Sequence, residues 1–258
     1  MNVLITGATS GIGFEVARKL FLRGYKVIIA THNVKQANSL RKKVNKKIKV
    51  IKLDVTKEND RNKVKKLDID VLINHAGVGY GGSICEIPME KVRENFEVNV
   101  FSSFELLQIV LKEMLKKKKG KIFITSSLLG IVPMRFLGVY SATKSSIISL
   151  ATALRSELKL LNKNISISVI EPGAYHTGFN QVMLENKYSW MEKKSYFKDH
   201  LNEIREREKF IFNLLEKKNY DSIVEKIVNE VESEKPKFII RAPIMQVIGI
   251  KLYSFFTK

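Results

Sequence analysis

A single cysteine, Cys85, stands in 258 residues, which excludes an intramolecular disulfide and any cysteine-built zinc cluster and fits a reducing compartment. No apolar run reaches the roughly 18 residues that a membrane-spanning helix needs. Proline is scarce, at five residues, and no repeated or low-complexity tract interrupts a chain that is 45% apolar, so neither disorder nor a solenoid is expected. Acidic residues are few: 26 against 45 basic ones, a net charge of +19. Such a field attracts nucleic acid, anionic lipid and anionic cofactors alike. The lysines, however, are scattered over helix faces and turns (Lys42, Lys43, Lys46, Lys47, Lys65, Lys66, Lys217, Lys218). The densest run, Lys116 to Lys119, falls at a helix end, where cations complement the dipole. No basic patch is interleaved with aromatics, so no nucleic-acid partner is expected, and nothing suggests a metal site. The length fits one α/β domain over residues 1–258. With strand-like sequence from residue 2, no leader is expected, and the expected location is the cytoplasm.

What is present begins with order. The apolar stretch Asn2 to Ile5 reads as a strand, a glycine-rich turn follows, and an amphipathic helix runs to Leu22. Strand, glycine turn and helix are what a phosphate site needs. Gly7 supplies the tight turn, Gly11 lets backbone approach a pyrophosphate, and Gly13 lets the helix pack on the sheet. Thr6, Thr9, Ser10 and Ile12 belong to the same candidate dinucleotide site. The second strand, Lys26 to Ala30, is followed by Thr31, His32 and Asn33. A carboxylate there would bind a ribose 2′-hydroxyl and repel a 2′-phosphate; its absence favours NADP and leaves NAD possible. Lys35 is a further candidate phosphate neighbour. A short helix over 35–44 and a strand over 48–53 lead to Asp54 and Val55; Asp54 either accepts from an adenine amino group or caps the next helix. The fourth strand, Val71 to Ile73, ends in Asn74, His75, Ala76 and Gly77, small enough at the last two for backbone to lie against a ribose.

Tyr140 and Lys144 lie four residues apart in a segment continuing with apolar residues at helical spacing (Ile147, Ile148, Ala151, Leu154, Leu158), so both project from one helix face. An ammonium one turn away stabilises a phenolate, and the pair is expected to lower the tyrosine pKa from about 10.

Thr6 to Gly13, Asn74 to Gly77, Ser127, and Tyr140 with Lys144 together resemble the short-chain dehydrogenase/reductase family in its single-domain form, in register from residue 2 to about 177. The resemblance implies a doubly wound Rossmann fold, a mainly parallel sheet of about seven strands flanked by helices, and hydride transfer between NAD(P) and a carbonyl or alcohol. It implies that Ser127, thirteen residues before Tyr140, orients the substrate while Ser126 points elsewhere. It makes Tyr140 the proton donor or acceptor, and gives Lys144 the nicotinamide ribose as well as the tyrosine. Asn99, in a helix from Met89, would hold a water that continues the proton path. Pro172 and Gly173, after a strand over 165–170, would turn beneath the nicotinamide, with Thr177 on its carboxamide. His75 departs from the family's usual asparagine and is read as a packing or cofactor-edge residue, not a base. The resemblance also implies a homodimer or homotetramer built on the helices over 89–118 and 140–161.

The segments over 79–88, 128–139 and 178–217 carry bulky apolar residues: Met134, Phe136, Leu137, Phe179, Met183, Tyr188, Trp190, Met191, Tyr196 and Phe197. They either line a pocket for an apolar carbonyl or alcohol, steroid-, retinoid- or acyl-like, or pack a lid over 178–217 onto the domain. Arg135 and Lys187 are candidates for a weak anion preference. A seventh strand is expected over 238–240. The apolar segment over 242–258 covers the pocket, meets another subunit or touches a membrane surface. The expected function is NADPH-dependent reduction of an apolar ketone or aldehyde; a non-catalytic NADP-binding redox sensor is the alternative.

Overall fold

The computed structural model describes residues 1–249. Seven strands form one sheet, and every pairing is parallel. They are β1 (Asn2–Thr6), β2 (Lys26–Thr31), β3 (Lys49–Lys52), β4 (Val71–Asn74), β5 (Lys119–Thr125), β6 (Asn164–Pro172) and β7 (Ile239–Ala242), in the spatial order 3-2-1-4-5-6-7. Runs such as Val3-Leu4-Ile5 and Ile122-Phe123-Ile124 are wholly buried, because helices cover both faces of the sheet. On one face α1 (Gly11–Leu22), α2 (Val34–Arg41) and α9 (Asp221–Glu232) close a core around Val16, Leu20, Ile29, Ile227 and Val231. On the other, α3 (Glu58–Lys63), α4 (Met89–Phe96), α5 (Ser102–Lys117) and α6 (Gly138–Leu160) flank the sheet, and Leu72, Leu106, Met114, Ile124 and Ile147 fill the core.

Local chemistry sets the boundaries. Gly24 at φ +85° turns the chain after α1, Asn33 caps α2 by accepting the Gln36 N–H at 2.9 Å, and Lys118 at φ 60° ends α5. The helix expected over 89–118 is interrupted by a π turn at Glu97–Phe101, where Asn99 sits. β6 runs through Glu171 into Pro172, farther than expected, because β7 pairs with it there; a terminal proline needs no ladder N–H on its own nitrogen. Strand order reverses between β1 and β4, and a crevice opens outside the carboxyl ends of the strands at that point. α7 (Phe179–Met191) and α8 (Leu201–Leu215) form an excursion between β6 and α9 that overhangs it. Residues 244–249 are helical; the remainder of the apolar segment expected over 242–258 lies outside the described residues.

Candidate active site

One cleft of about 2050 Å³ runs from the glycine turn to the inner faces of α7 and α8. Gly7 and Gly11 hold φ of +65° and +59°, a region that costs a side-chain-bearing residue about 1 kcal/mol or more. A Cβ at Gly7 would lie 2.8 Å from the Ala76 Cα, and one at Gly11 would lie 2.9 Å from the Thr177 Cβ. The turn is therefore pressed between the loops after β4 and β6. Ser10 precedes α1 without a side-chain cap, and no acidic residue occupies the first turn, so the N–H groups there remain available to an anion. This glycine cradle fits a dinucleotide pyrophosphate. Gly13 lies behind the wall, where a Cβ would meet the His75 ring at 2.9 Å.

Thr6 and Asn74 brace the cradle. The Thr6 hydroxyl accepts the N–H groups of His75 and Ala76 at 2.9 and 3.0 Å and donates to Asn74 Oδ1 at 3.2 Å, while Asn74 Nδ2 donates to Ser103. Thr6 reaches the wall of the cleft; Asn74 does not. At the far end of β2, the Thr31 hydroxyl is directed at the carbonyls of Asn33 and Ile51, and Asn33 is spent as a cap behind the wall. His32 is open to solvent and stands 3.6 Å from the Asp54 carboxylate. Asp54 also accepts both donors of Thr56, closing a turn ahead of α3, whose N-cap, Lys57, receives no side-chain bond; the expected cap is therefore not made. Lys35 is not in the wall. Gln36 and Lys57, which carry no sequence signal, are.

Ser127, Tyr140 and Lys144 meet at the middle of the cleft. Tyr140 and Lys144 project from the buried face of α6 with Ile147 and Ala151. Lys144 Nζ lies 5.6 Å from the Tyr140 ring centroid and donates to the Thr125 carbonyl at 3.0 Å. Burial lowers its pKa to about 8. The Tyr140 phenol is pushed up, not down: burial dominates, and the Ser127 hydroxyl only partly offsets it. The expected depression by Lys144 is thus absent from this geometry, because the ammonium is turned to Thr125. Ser127 Oγ accepts the Leu129 N–H at 3.1 Å, whereas Ser126 Oγ donates to the Lys144 carbonyl at 2.8 Å and holds α6 against β5. Asn99 lies behind the wall. Its amide is fully used, accepting from Val78 N–H at 2.9 Å and donating to the Val78 carbonyl and Thr143 Oγ1.

His75 is half-buried at the cleft wall and bonds Thr125 Oγ1 through Nδ1 at 2.9 Å. Burial first, and the Lys144 charge second, lower its pKa to about 4, so it is neutral. Thr125 therefore positions two groups at once, and the signal for it in the sequence is its place just before Ser126-Ser127 at a strand end. Gln246 is a further residue that the sequence did not single out. It accepts the Ala174 N–H at 2.7 Å and donates to the carbonyls of Ala174 and Leu215. The loop after Pro172 and Gly173 is thereby tied to the end of α8. Thr177 lies in the wall against Gly11, and Val55, Ala76 and Gly77 line it too.

The bulky residues divide. Met134, Phe136, Phe179, Met183 and Phe197 line the cleft, Leu137 packs with Tyr140 and Met183, Tyr188, Trp190 and Met191 pack inside the overhang, and Tyr196 is exposed. Arg135 is in the wall, but Lys187 is fully buried and ion-paired with Glu208. Lys187 is therefore no anion subsite.

A short chain dehydrogenase model matches residues 1–187. A probable short-chain type dehydrogenase/reductase, VdlC of Helicobacter pylori, is 36% identical over 189 residues, covering 71% of this chain and 68% of its own. A serine dehydrogenase solved in closed form with NADP+ is 26% identical, with a TM-score of 0.68 over 75% of this chain and 80% of that one. A Burkholderia phymatum short-chain dehydrogenase/reductase solved with NAD shares the fold, at 21% identity and a TM-score of 0.79 over 97% of this chain and 92% of that one. The chain belongs to the short-chain dehydrogenase/reductase family and is an NAD(P)-dependent oxidoreductase. Among the described residues no helix is long and apolar enough to cross a membrane.

Proposed function

We propose that the protein reduces an apolar ketone or aldehyde at the expense of NADPH, with Ser127, Tyr140 and Lys144 in the reacting roles. The observation that carries this is their convergence in one cleft, with the glycine cradle at one end and Met134, Phe136, Phe179, Met183 and Phe212 at the other. Bound nicotinamide supplies the hydride. Ser127 donates to the substrate oxygen and Tyr140 delivers the proton to it. The phenol is protonated at neutral pH, as delivery to the substrate oxygen requires, and the burial that raises its pKa must be offset when nucleotide binds for the transfer to be efficient. Lys144, kept off the tyrosine by Thr125, is free in charge to hold ribose hydroxyls when it turns. Asn99 acts by fixing the Val78 backbone and α6, through Thr143, in mutual register. The overhang over 178–217 serves as the lid of a single catalytic domain.

NADPH is favoured because no carboxylate occupies 31–33 and the accessible groups there include His32 and Lys57; both nucleotides occur among the structural relatives. Exposed Phe101 on the π turn and Leu150 on α6 support pairing of subunits through α5 and α6, which sedimentation at graded concentration would test. Titration of the protein with NADPH and NADH, followed by turnover with straight-chain ketones and aldehydes, tests the function. Tight NADPH binding with ketone reduction is expected; binding of neither nucleotide would refute the reading.

A further inference from the structure

Between α7 and α8 the chain buries a charge that none of the chemistry above uses. Lys187 is 0% exposed, and its ammonium bonds Glu208, which also accepts the Tyr188 hydroxyl at 2.6 Å. Nζ lies 4.4 Å from the Tyr188 ring centroid and 5.7 Å from that of Phe136. Both donors converge on one carboxylate oxygen, Oε2. Burying an ion pair is costly unless the remaining lone pairs are satisfied, and Oε1 has no protein partner among the described residues. Nor is Oε1 among the sealed, unsatisfied atoms. Glu208 keeps 9% of its surface open and stands in the wall of the cleft.

Its position on α8 fixes what it faces. Ile204, Glu208 and Phe212 recur every fourth residue and all line the cleft. Phe212 packs on the cluster of Leu137, Tyr140 and Met183, and Ile204 on that of Tyr188, Met191 and Leu201. Glu208 thus lies one helical turn, about 5.4 Å, beyond a ring that packs with the reacting tyrosine. An apolar stretch of wall separates the two polar points.

We propose that Glu208 determines substrate choice, its cleft-facing oxygen accepting a hydrogen bond from a hydroxyl that the substrate carries across an apolar body from its reacting carbonyl. This rests on the carbonyl-reductase reading. Lys187 balances the Glu208 charge, so a neutral hydroxyl fits better than an ammonium, and a carboxylate would meet an oxygen with no proton to give.

The test compares kcat/KM for straight-chain methyl ketones, the same ketones bearing a terminal hydroxyl, and the same bearing a terminal carboxylate. At the chain length that spans the two points, the hydroxylated ketone is preferred over the plain one by about 10-fold or more, the strength of one hydrogen bond to a charged acceptor. In Lys187→Met/Glu208→Leu, which removes both charges together, that ratio falls to near one. Glu208→Gln keeps the shape should the double variant not fold; it weakens the preference and relieves the rejection of the carboxylate. Equal kcat/KM for plain and hydroxylated ketones in the unmodified protein, or a preference that survives in the variants, would overturn the proposal and leave the reductase reading standing. Failure of every ketone with both nucleotides would defeat that reading, and this inference with it.

Discussion

Replacing His75 by asparagine should flatten the acid limb of the stability curve. The histidine pKa falls from 6.5 to about 4 in the fold, so between those values the unfolded chain binds a proton that the folded one refuses. Its contribution is present in full above pH 6.5 and is lost as pH falls through 4. Linkage makes the loss about 2.5 kcal/mol near pH 4.5. Asparagine offers Thr125 Oγ1 a replacement partner and does not titrate, and any cost of the smaller side chain against Gly13 is independent of pH. Urea unfolding of both proteins at about pH 7.5 and 4.5 should therefore show the stability difference moving in the variant's favour by roughly 2 to 3 kcal/mol, or about 5–10 °C in Tm. Other titrating groups cancel in the comparison. If the two curves stay parallel from neutral pH to 4.5, His75 is not the neutral imidazole described.

Tyr140→Phe should lower kcat/KM by about 10²–10⁴-fold while nucleotide fluorescence titration is unchanged; full activity would remove the phenol from the proton transfer. Lys144→Met should abolish turnover yet raise stability at pH 7: the fall in pKa from 10.5 to about 8 is worth about 3 kcal/mol, offset by about 1–2 for the orphaned Thr125 carbonyl. The penalty that it relieves is complete below pH 8 and gone above 10.5, so the stabilisation measured by chemical unfolding should fade across that window; a destabilised variant at pH 7 would contradict the burial account. Gly7→Ala places a methyl 2.8 Å from Ala76 backbone at φ +65° and should weaken nucleotide binding about 10-fold or more, with a lowered Tm; an unchanged Kd would mean that the turn does not carry the phosphates.

The sheet was legible because the chain writes it redundantly. Val3-Leu4-Ile5 and Ile122-Phe123-Ile124 are apolar on both faces, which only a covered parallel sheet tolerates. Strand ends were less so: nothing in Glu171-Pro172 signals that β7 will extend the pairing there. A carboxylate at a strand end can cap or bind with the same atoms, and nothing in the spacing shows that Asp54 closes a turn on Thr56 two residues before α3 begins. Lys187 was misread because the partner that neutralises it, Glu208, lies on a different helix, and spacing along α7 carries no trace of α8. Gln246, which ties the Ala174 loop to Leu215, was invisible for the same reason.

Tyr140 and Lys144 mark where such reading stops. Helical spacing put them on one face, and they are on one face. The inference from proximity to a lowered tyrosine pKa failed on a third group, the Thr125 carbonyl, and on depth. A charge 5.6 Å from the ring centroid and bonded elsewhere shifts a phenol less than burial does, and burial acts in the opposite sense on the two partners: up for the phenol, down for the ammonium. The pair is thereby poised with a protonated tyrosine and a lysine whose charge is only weakly held at physiological pH. A new partner for the Lys144 ammonium, such as ribose hydroxyls in the cleft, would change both. Lys144 is then the group through which nucleotide binding is coupled to the acidity of Tyr140. The tyrosine pKa, read by ultraviolet difference titration, should fall when NADP+ is added and should not fall in Lys144→Met; an equal fall in both would assign the coupling to the nicotinamide charge alone.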